Sequence, residues 1–216
     1  MGSESQTRGP NPPDMQHIDH HKGWHSRGYL PHLDTPDIIQ AITFRLHDSL
    51  PKKVIDRWRQ ELESTSSTDP SESETLLHHR IDRFEDAGHG ACHLRHPTCA
   101  ATVQHALLYF DTSRYRLLEW CIMPNHVHAV IHCPAGTRIG EVVKSWKTHS
   151  AREINRFLNR QGNLWSHDYH DRYIRDAIHL AHVRSYIRNN PVNAGLCQNP
   201  EDWPWSSASR TGTESQ

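Results

Sequence analysis

The run Cys121-Ile-Met-Pro-Asn-His-Val-His-Ala-Val-Ile131 constrains this chain more than any other stretch. On a strand, alternate residues share a face, so His126 and His128 point one way and Val127 the other. Apolar neighbours surround the pair, so such a strand is half buried and its surroundings hold both rings still. Shared direction, short separation and little freedom are what a divalent metal asks of two ligands. An isolated His-x-His can equally be two strand histidines bonded to neighbouring carbonyls. The metal reading gains from a second element far downstream, Tyr186-Ile-Arg-Asn-Asn-Pro191.

Composition bounds the rest. The chain has 216 residues, enough for one sizeable core or two small ones. At 35% hydrophobic and a mean hydropathy of -0.80 it is polar, so some stretches fall outside the core. No apolar run reaches membrane-span length, and the N-terminus shows no signal-peptide apolar region. Five cysteines (Cys92, Cys99, Cys121, Cys133 and Cys197) with no CxxC pair predict a reduced, cytoplasmic protein. A net charge of -1 argues against wholesale coating of duplex DNA but leaves room for a local basic groove.

Residues 1–35 are rich in Pro, Gly, His and Asp without a sustained period and read as a flexible N-terminal arm. Residues 36–208 form one domain, in which 63–97 is an insertion and helical connection, and 209–216 is a disordered tail. Ile38 to Leu46 predicts the first strand. Val54 to Leu62, Leu76 to Phe84 and Cys99 to Phe110 predict helices, with a flexible Ser/Thr/acidic stretch over Glu63 to Glu74. Tyr115 to Ile122 and His126 to Cys133 make a strand pair joined at Met123-Pro-Asn125. Ile139 to Leu158 is a long amphipathic helix. A short strand over Asp171 to Arg175 and a helix from Ile178 to Asn190 follow. Strands interleaved with helices around an antiparallel pair indicate an α+β fold.

On that last helix Tyr186 and Asn190 stand four apart and share a face. Pro191 disfavours helical geometry at Asn190 and sets it at the helix end. Two imidazoles and one amide oxygen suit Mg or Mn, and the Tyr186 phenol is placed to attack a phosphate that the ion polarises. Tyr169, beside Tyr173, is the competing nucleophile; its other reading is packing beside Trp165.

Several blocks stand in order along residues 27–208. They are Arg27-Gly-Tyr-Leu-Pro-His32, Met123-Pro-Asn-His-Val-His128, Ser145-Trp-Lys-Thr-His149, Leu164-Trp165, Tyr169 to Arg175, Tyr186 to Leu196 and Trp203-Pro-Trp-Ser-Ser207. In these the chain resembles the single-tyrosine HUH transposases, most closely the REP-associated tyrosine transposases of bacterial chromosomes. The resemblance implies a ferredoxin-like (RRM-like) antiparallel sheet with helices packed on it and the histidine pair on a central strand. It implies Tyr186 as nucleophile, with His126, His128 and Asn190 as metal ligands. The activity would be a metal-dependent single-stranded DNA endonuclease and strand transferase with a covalent 5′-phosphotyrosine intermediate, acting on hairpin DNA of REP type. The protein would be a transposase or a domesticated one, nucleoid-associated in the cytoplasm, a monomer in preference to a dimer.

Lys144, Lys147, Arg152, Arg172, Arg175 and Arg188 are the candidate DNA contacts, through phosphates and therefore salt-dependent. Arg184 and the arm residues Arg27 and His32 would add to them. Two other functions fit parts of the sequence. One is a hairpin-binding protein that no longer cleaves. The other is a zinc protein built on His89, Cys92, His93, His96 and Cys99.

Overall fold

The computed structural model describes residues 23–26, 31–64 and 70–211. Arg27 and residues 212–216 of the expected tail lie outside the described residues. The elements run β1 (Gly23–Ser26), β2 (Pro31–Asp34), β3 (Ile38–Arg45), α1 (Lys52–Ser64), α2 (Pro70–Asp86) and α3 (Pro97–Tyr109). They continue with β4 (Arg116–Ile122), β5 (His126–Cys133), α4 (Ile139–Phe157), β6 (His170–Tyr173), α5 (Ala177–Asn193) and α6 (Ser207–Thr211).

Strands β3 to β6 form one antiparallel sheet in the order β4-β5-β3-β6, and β1 pairs with β2 in a separate hairpin. The fold is α+β, and β5, with the histidine pair, is an inner strand between β4 and β3. The β3–helices–β4–β5–α4–β6 order gives the ferredoxin-like arrangement that the resemblance implies.

Strand alternation divides the side chains between two layers. Val127, Ala129 and Ile131 of β5 enter a core with Ile42 and Phe44 of β3, Val103 and Leu107 of α3, and Val142, Trp146 and Ile154 of α4. Val130, between them in sequence, joins Cys121, Met123 and Ile187, with Leu180 and Val183 of α5 packed alongside. So α3 and α4 cover one face of the sheet, and α5 covers the other. His126 and His128 share the parity of Val130 and therefore face the α5 side.

Local chemistry sets the element ends. The His96 side chain accepts from Thr98 N at 3.2 Å ahead of Pro97, and Asp176 accepts from His179 N at 2.7 Å to open α5. Two boundaries differ from those read in the sequence. Helix α2 begins at Pro70, so helix occupies part of the stretch expected to be flexible. Helix α5 continues through Pro191 to Asn193. Proline here removes one donor in the final turn, and the chain beyond supplies others: Ala194 N to Asn190 O at 2.9 Å and Leu196 N to Pro191 O at 2.8 Å. Asn190 and Pro191 are both buried, and that packing overrides the local bias.

The end of the expected arm is part of the fold. His32 is fully buried, its Nδ1 bonded to Asp171 and its Nε2 2.9 Å from Asp168, while Asp171 also accepts from Leu33 N at 3.0 Å. Burial alone would depress the imidazole pKa, but the two carboxylates outweigh it and hold it up at about 9. An ion pair of this kind fastens the hairpin strand β2 to β6, and His32 is accordingly not available to DNA.

Candidate active site

Strand β5 aims both rings into one buried site. His126 Nε2 stands 3.0 Å from His128 Nε2, and the rings meet nearly edge-on at 81°. The outer nitrogens are already committed. His126 Nδ1 lies 2.7 Å from Asn125 Oδ1, and Asn125 is itself oriented by donating from Nδ2 to His89 O at 2.9 Å. The amide oxygen must accept, so His126 carries its proton on Nδ1 and keeps a lone pair on Nε2. His128 Nδ1 pairs with Thr43 Oγ1 at 2.8 Å, which permits the same tautomer. Both rings are held neutral. Burial, followed by the neighbouring His128 and Arg45, pushes the His126 pKa well below its usual range; burial lowers that of His128 to about 4.

Helix α5 brings the other two groups expected at the site. Asn190 is fully buried; its Nδ2 lies 3.4 Å from His128 Nε2, and its Oδ1 has no hydrogen-bond partner. The Tyr186 ring is 5.7 Å from that of His128, its hydroxyl lies within hydrogen-bonding reach of Asn190, and the residue is 38% exposed. Desolvation, and then the charges of Asp82, Asp86 and Glu85, raise its pKa far above the ordinary tyrosine value. The competing Tyr169 is buried in the α3–α4 core with its ring 4.4 Å from His32, a packing position.

Helix α5 is fixed by a group the sequence reading did not single out. Glu119 of β4 is fully buried and receives Arg184 Nε at 2.9 Å and Arg188 Nε at 2.8 Å. These arginines stand one turn apart, on either side of Tyr186 in sequence, and lock α5 against the sheet.

A second group missing from the sequence reading is Asp86, the last residue of α2. Among the described residues, Asp86, His126 and His128 are the only set of three His, Cys, Asp or Glu side chains whose ligand atoms lie within 4.8 Å of one another. No local pattern marks this aspartate, because α2 approaches the site only through tertiary packing. The Cys/His stretch expected as a zinc alternative forms no such group. Cys99 is buried in the core, His96 caps α3, and Cys92 Sγ donates to Gly88 O at 3.1 Å.

The six basic residues expected at DNA disperse. Lys147 Nζ donates to the carbonyls of Ser166 at 2.8 Å and His167 at 2.9 Å, and burial lowers its pKa to about 8. Arg188 is held by Glu119. Lys144 and Arg152 lie on the outer side of α4, across the sheet from the histidines, with Arg152 Nε 3.0 Å from Glu153. Arg172 of β6 stands across from Ala41 on the histidine face, within electrostatic reach of Asp82, whose pKa burial and then Asp86 raise to about 7 against the lesser opposing charge of the arginine. Arg175 is exposed just beyond β6.

The family model described as "Transposase IS200 like" matches residues 102–190, from α3 to the amide of Asn190. Over this segment, somewhat under half of its length, the chain is similar to the IS200-like transposases. A Haemophilus influenzae protein assigned as a REP-associated tyrosine transposase is 30% identical over 100 residues, covering 42% of this chain and 57% of that protein. The REP-associated tyrosine transposase of Escherichia coli is 28% identical over 112 residues, covering 50% of this chain and 64% of its own. The chain thus spans somewhat under two thirds of either relative. A solved REP-associated tyrosine transposase, bound to a REP hairpin, superposes with a TM-score of 0.52 at 15% identity over 85% of this chain and 84% of its own. At that identity the likeness concerns the fold alone. The IS200-like segment contains both histidines, Tyr186 and Asn190 but not Asp86.

Proposed function

We propose that this protein is a metal-dependent single-stranded DNA endonuclease and strand transferase that works through a covalent link between Tyr186 and a 5′-phosphate. The observation that carries the reading is the pair of Nε2 atoms 3.0 Å apart, at least one of them a lone pair, beside an unpartnered buried amide oxygen. With both rings protonated on Nδ1, two imidazole lone pairs at that distance repel each other, and a buried amide oxygen without a donor loses its hydration uncompensated. One divalent cation relieves both conditions, so the donor set fits Mg or Mn.

His126, His128 and Asn190 would hold that ion, the amide presenting oxygen by rotation about its own bond. When bound, it supplies positive charge to a non-bridging phosphate oxygen as charge develops there. Tyr186 provides the nucleophile: its oxygen forms a bond to phosphorus as the bond from phosphorus to the 3′-oxygen breaks. The strand on that side leaves as a free 3′-OH, and the other stays on the tyrosine through its 5′-phosphate. Attack by a 3′-OH reverses the step and joins new ends. Asp82, Glu85 and Asp86 lie within electrostatic reach of the phenol and are candidate acceptors for its proton. The exposed face of the Tyr186 ring leaves an approach for an unpaired strand, whereas the buried histidines exclude a duplex from the same depth.

Hairpin DNA is the proposed substrate because the structural neighbour was solved bound to a REP hairpin. Arg172 and Arg175, at the β6 end of the histidine face, are its proposed phosphate contacts. The site draws its proposed ligands and nucleophile from one chain, which favours a monomer as the acting unit. The test is incubation of labelled single-stranded hairpin DNA with Mn or Mg, followed by denaturing electrophoresis. A covalent adduct that vanishes in Tyr186→Phe and with chelator supports the reading. Unchanged cleavage by that variant overturns it. Hairpin binding without any cleavage would instead favour the non-catalytic alternative.

A further inference from the structure

Helix α2 ends at the proposed metal site in a manner that helix stability alone does not explain. Asp86 Oδ1 lies 3.6 Å from His126 Nε2, buried and without a hydrogen-bond partner. A carboxylate in the last turn of a helix meets the negative end of its dipole, the less favourable end for an acid. Its neighbour Glu85 is only 1% exposed, with Arg45 Nη1 3.5 Å away. One buried acid and one half-buried acid thus follow each other where the helix itself repels them, and the half-buried Asp86 turns a buried oxygen towards an imidazole that carries a lone pair.

The placement is built, not incidental. Phe84, two residues before Asp86, stacks on His89 at 3.9 Å and meets Trp58 of α1 edge-on at 5.6 Å. The carbonyl of His89 is bonded by Asn125, the same side chain that fixes the His126 tautomer. One asparagine thus ties the end of α2 and the ring of His126 into a single unit, so the carboxylate and the imidazole keep their relation to each other.

We propose that Asp86 is a fourth protein ligand, so that the ion sits among His126, His128, Asn190 and the carboxylate of α2. This rests on the metal reading given above and adds an anionic oxygen to two neutral imidazoles and a neutral amide. Such a ligand favours hard ions such as Mn and Mg and cancels part of the ion's charge. It also lets the ion bind before any phosphate arrives. Asp86 lies outside the segment that matches the family, so this ligand belongs to the chain's own N-terminal part.

The test is titration calorimetry of the full-length protein with Mn2+ alone, without DNA. Wild type is expected to bind one Mn2+. Asp86→Ala should weaken it at least about tenfold, as loss of a ligand or its close support does. Tyr186→Phe should bind as wild type does. Asp86→Asn, which keeps shape and removes charge, guards against misfolding and should fall between the two, with a thermal melt showing it folded. Asp86→Cys separates direct ligation from mere support of His126: a thiolate in the coordination sphere should raise affinity for Cd2+ relative to Mn2+ and add a sulfur–cadmium charge-transfer absorption. Mn2+ affinity of Asp86→Ala within twofold of wild type, or no cadmium band in Asp86→Cys, overturns the fourth ligand and leaves the three-ligand reading intact. If wild type binds Mn2+ no better than His126→Ala, the metal reading itself falls and this proposal with it.

Discussion

The two faces of the sheet solve opposite problems with the same strands. On the α3–α4 face, Val127, Ala129 and Ile131 meet Trp146, Val142 and Leu107, and two polar side chains there are closely partnered: Trp146 Nε1 donates to Tyr115 Oη at 2.8 Å, and His32 stands between two aspartates. On the α5 face, one residue away along the same strand, His126, His128, Asn190 and Asp86 are drawn together with an amide oxygen and a carboxylate oxygen unpaired. The first face is mostly apolar and pairs these two groups, as a stable fold does. The second accumulates unsatisfied groups, and such unmet demand is where binding and catalysis are found. Stability is therefore expected to reside chiefly on one side and chemistry on the other.

The largest effect expected from breaking this contrast is chemical. Tyr186→Phe removes one hydroxyl from a partly exposed ring. It should abolish the protein–DNA adduct on denaturing gels while changing unfolding free energy by less than about 0.5 kcal/mol, the usual scale for surface positions. Asn190→Ala should behave alike. Its buried oxygen has no partner to lose and its Nδ2 contact with His128 is long at 3.4 Å, so a stability change of about 1–2 kcal/mol is expected alongside loss of cleavage. If either variant unfolds the protein in urea titration, the α5 face carries stability after all.

The converse break comes from the other face. Trp146→Ala empties a fully buried site and strips Tyr115 of its donor. A loss of about 3–5 kcal/mol is expected by urea unfolding, with the cleavage rate per folded molecule little changed. A variant that stays stable yet stops cleaving would dissolve the division between faces.

How much of this was legible in the sequence depends on whether the cause was local. The period-two pattern around His126 and His128 fixed their shared face, and the four-residue spacing of Tyr186 and Asn190 fixed theirs. Those four residues meet as expected because each pair is read from one element. Asp86 was invisible, since nothing near it in sequence records that α2 would close over the sheet. Asn125 read as a connection only; its grip on the His126 tautomer is a contact between adjacent side chains that residue type does not announce. Pro191 misled about where α5 ends, because tertiary burial outweighed a local backbone preference. Lys147 and His32 carried charge that looked available in sequence, whereas in the fold one caps backbone carbonyls and the other is enclosed by carboxylates. Charge alone does not say which partner it will find.

A third effect, smaller and confined to the stable face, follows from that enclosed imidazole. The folded His32 pKa is about 9 against an ordinary 6.5, so the folded state binds its proton more tightly than the unfolded state. The associated stabilisation is fully present below pH 6.5 and is lost as pH rises through about 9. Each pKa unit corresponds to about 1.4 kcal/mol, so a decline of roughly 3–4 kcal/mol is expected across this window. Urea midpoints measured from pH 6 to 10 should fall in wild type and show a flatter profile in His32→Gln. A variant profile as steep as that of wild type would mean that another group sets the alkaline limit.

The smallest expected effect decides which face meets DNA. Lys144 and Arg152 stand on α4, across the sheet from the histidines, while Arg172 shares the histidine face and lies within electrostatic reach of Asp82. A phosphate seated near Tyr186 can be reached from β6 but not from the outer side of α4. In fluorescence anisotropy with hairpin DNA, Arg172→Ala should weaken binding several-fold and reduce the slope of log affinity against log salt by about 1, the signature of one lost phosphate contact. The double variant Lys144→Ala/Arg152→Ala should leave affinity within about twofold and the slope unchanged, since groups far from the strand release no counterions on binding. The opposite outcome, a reduced slope in the α4 double variant and none in Arg172→Ala, would place the DNA on the wrong side of the sheet for Tyr186 to reach it. The division of labour between the faces would then have to be abandoned together with the nucleophile.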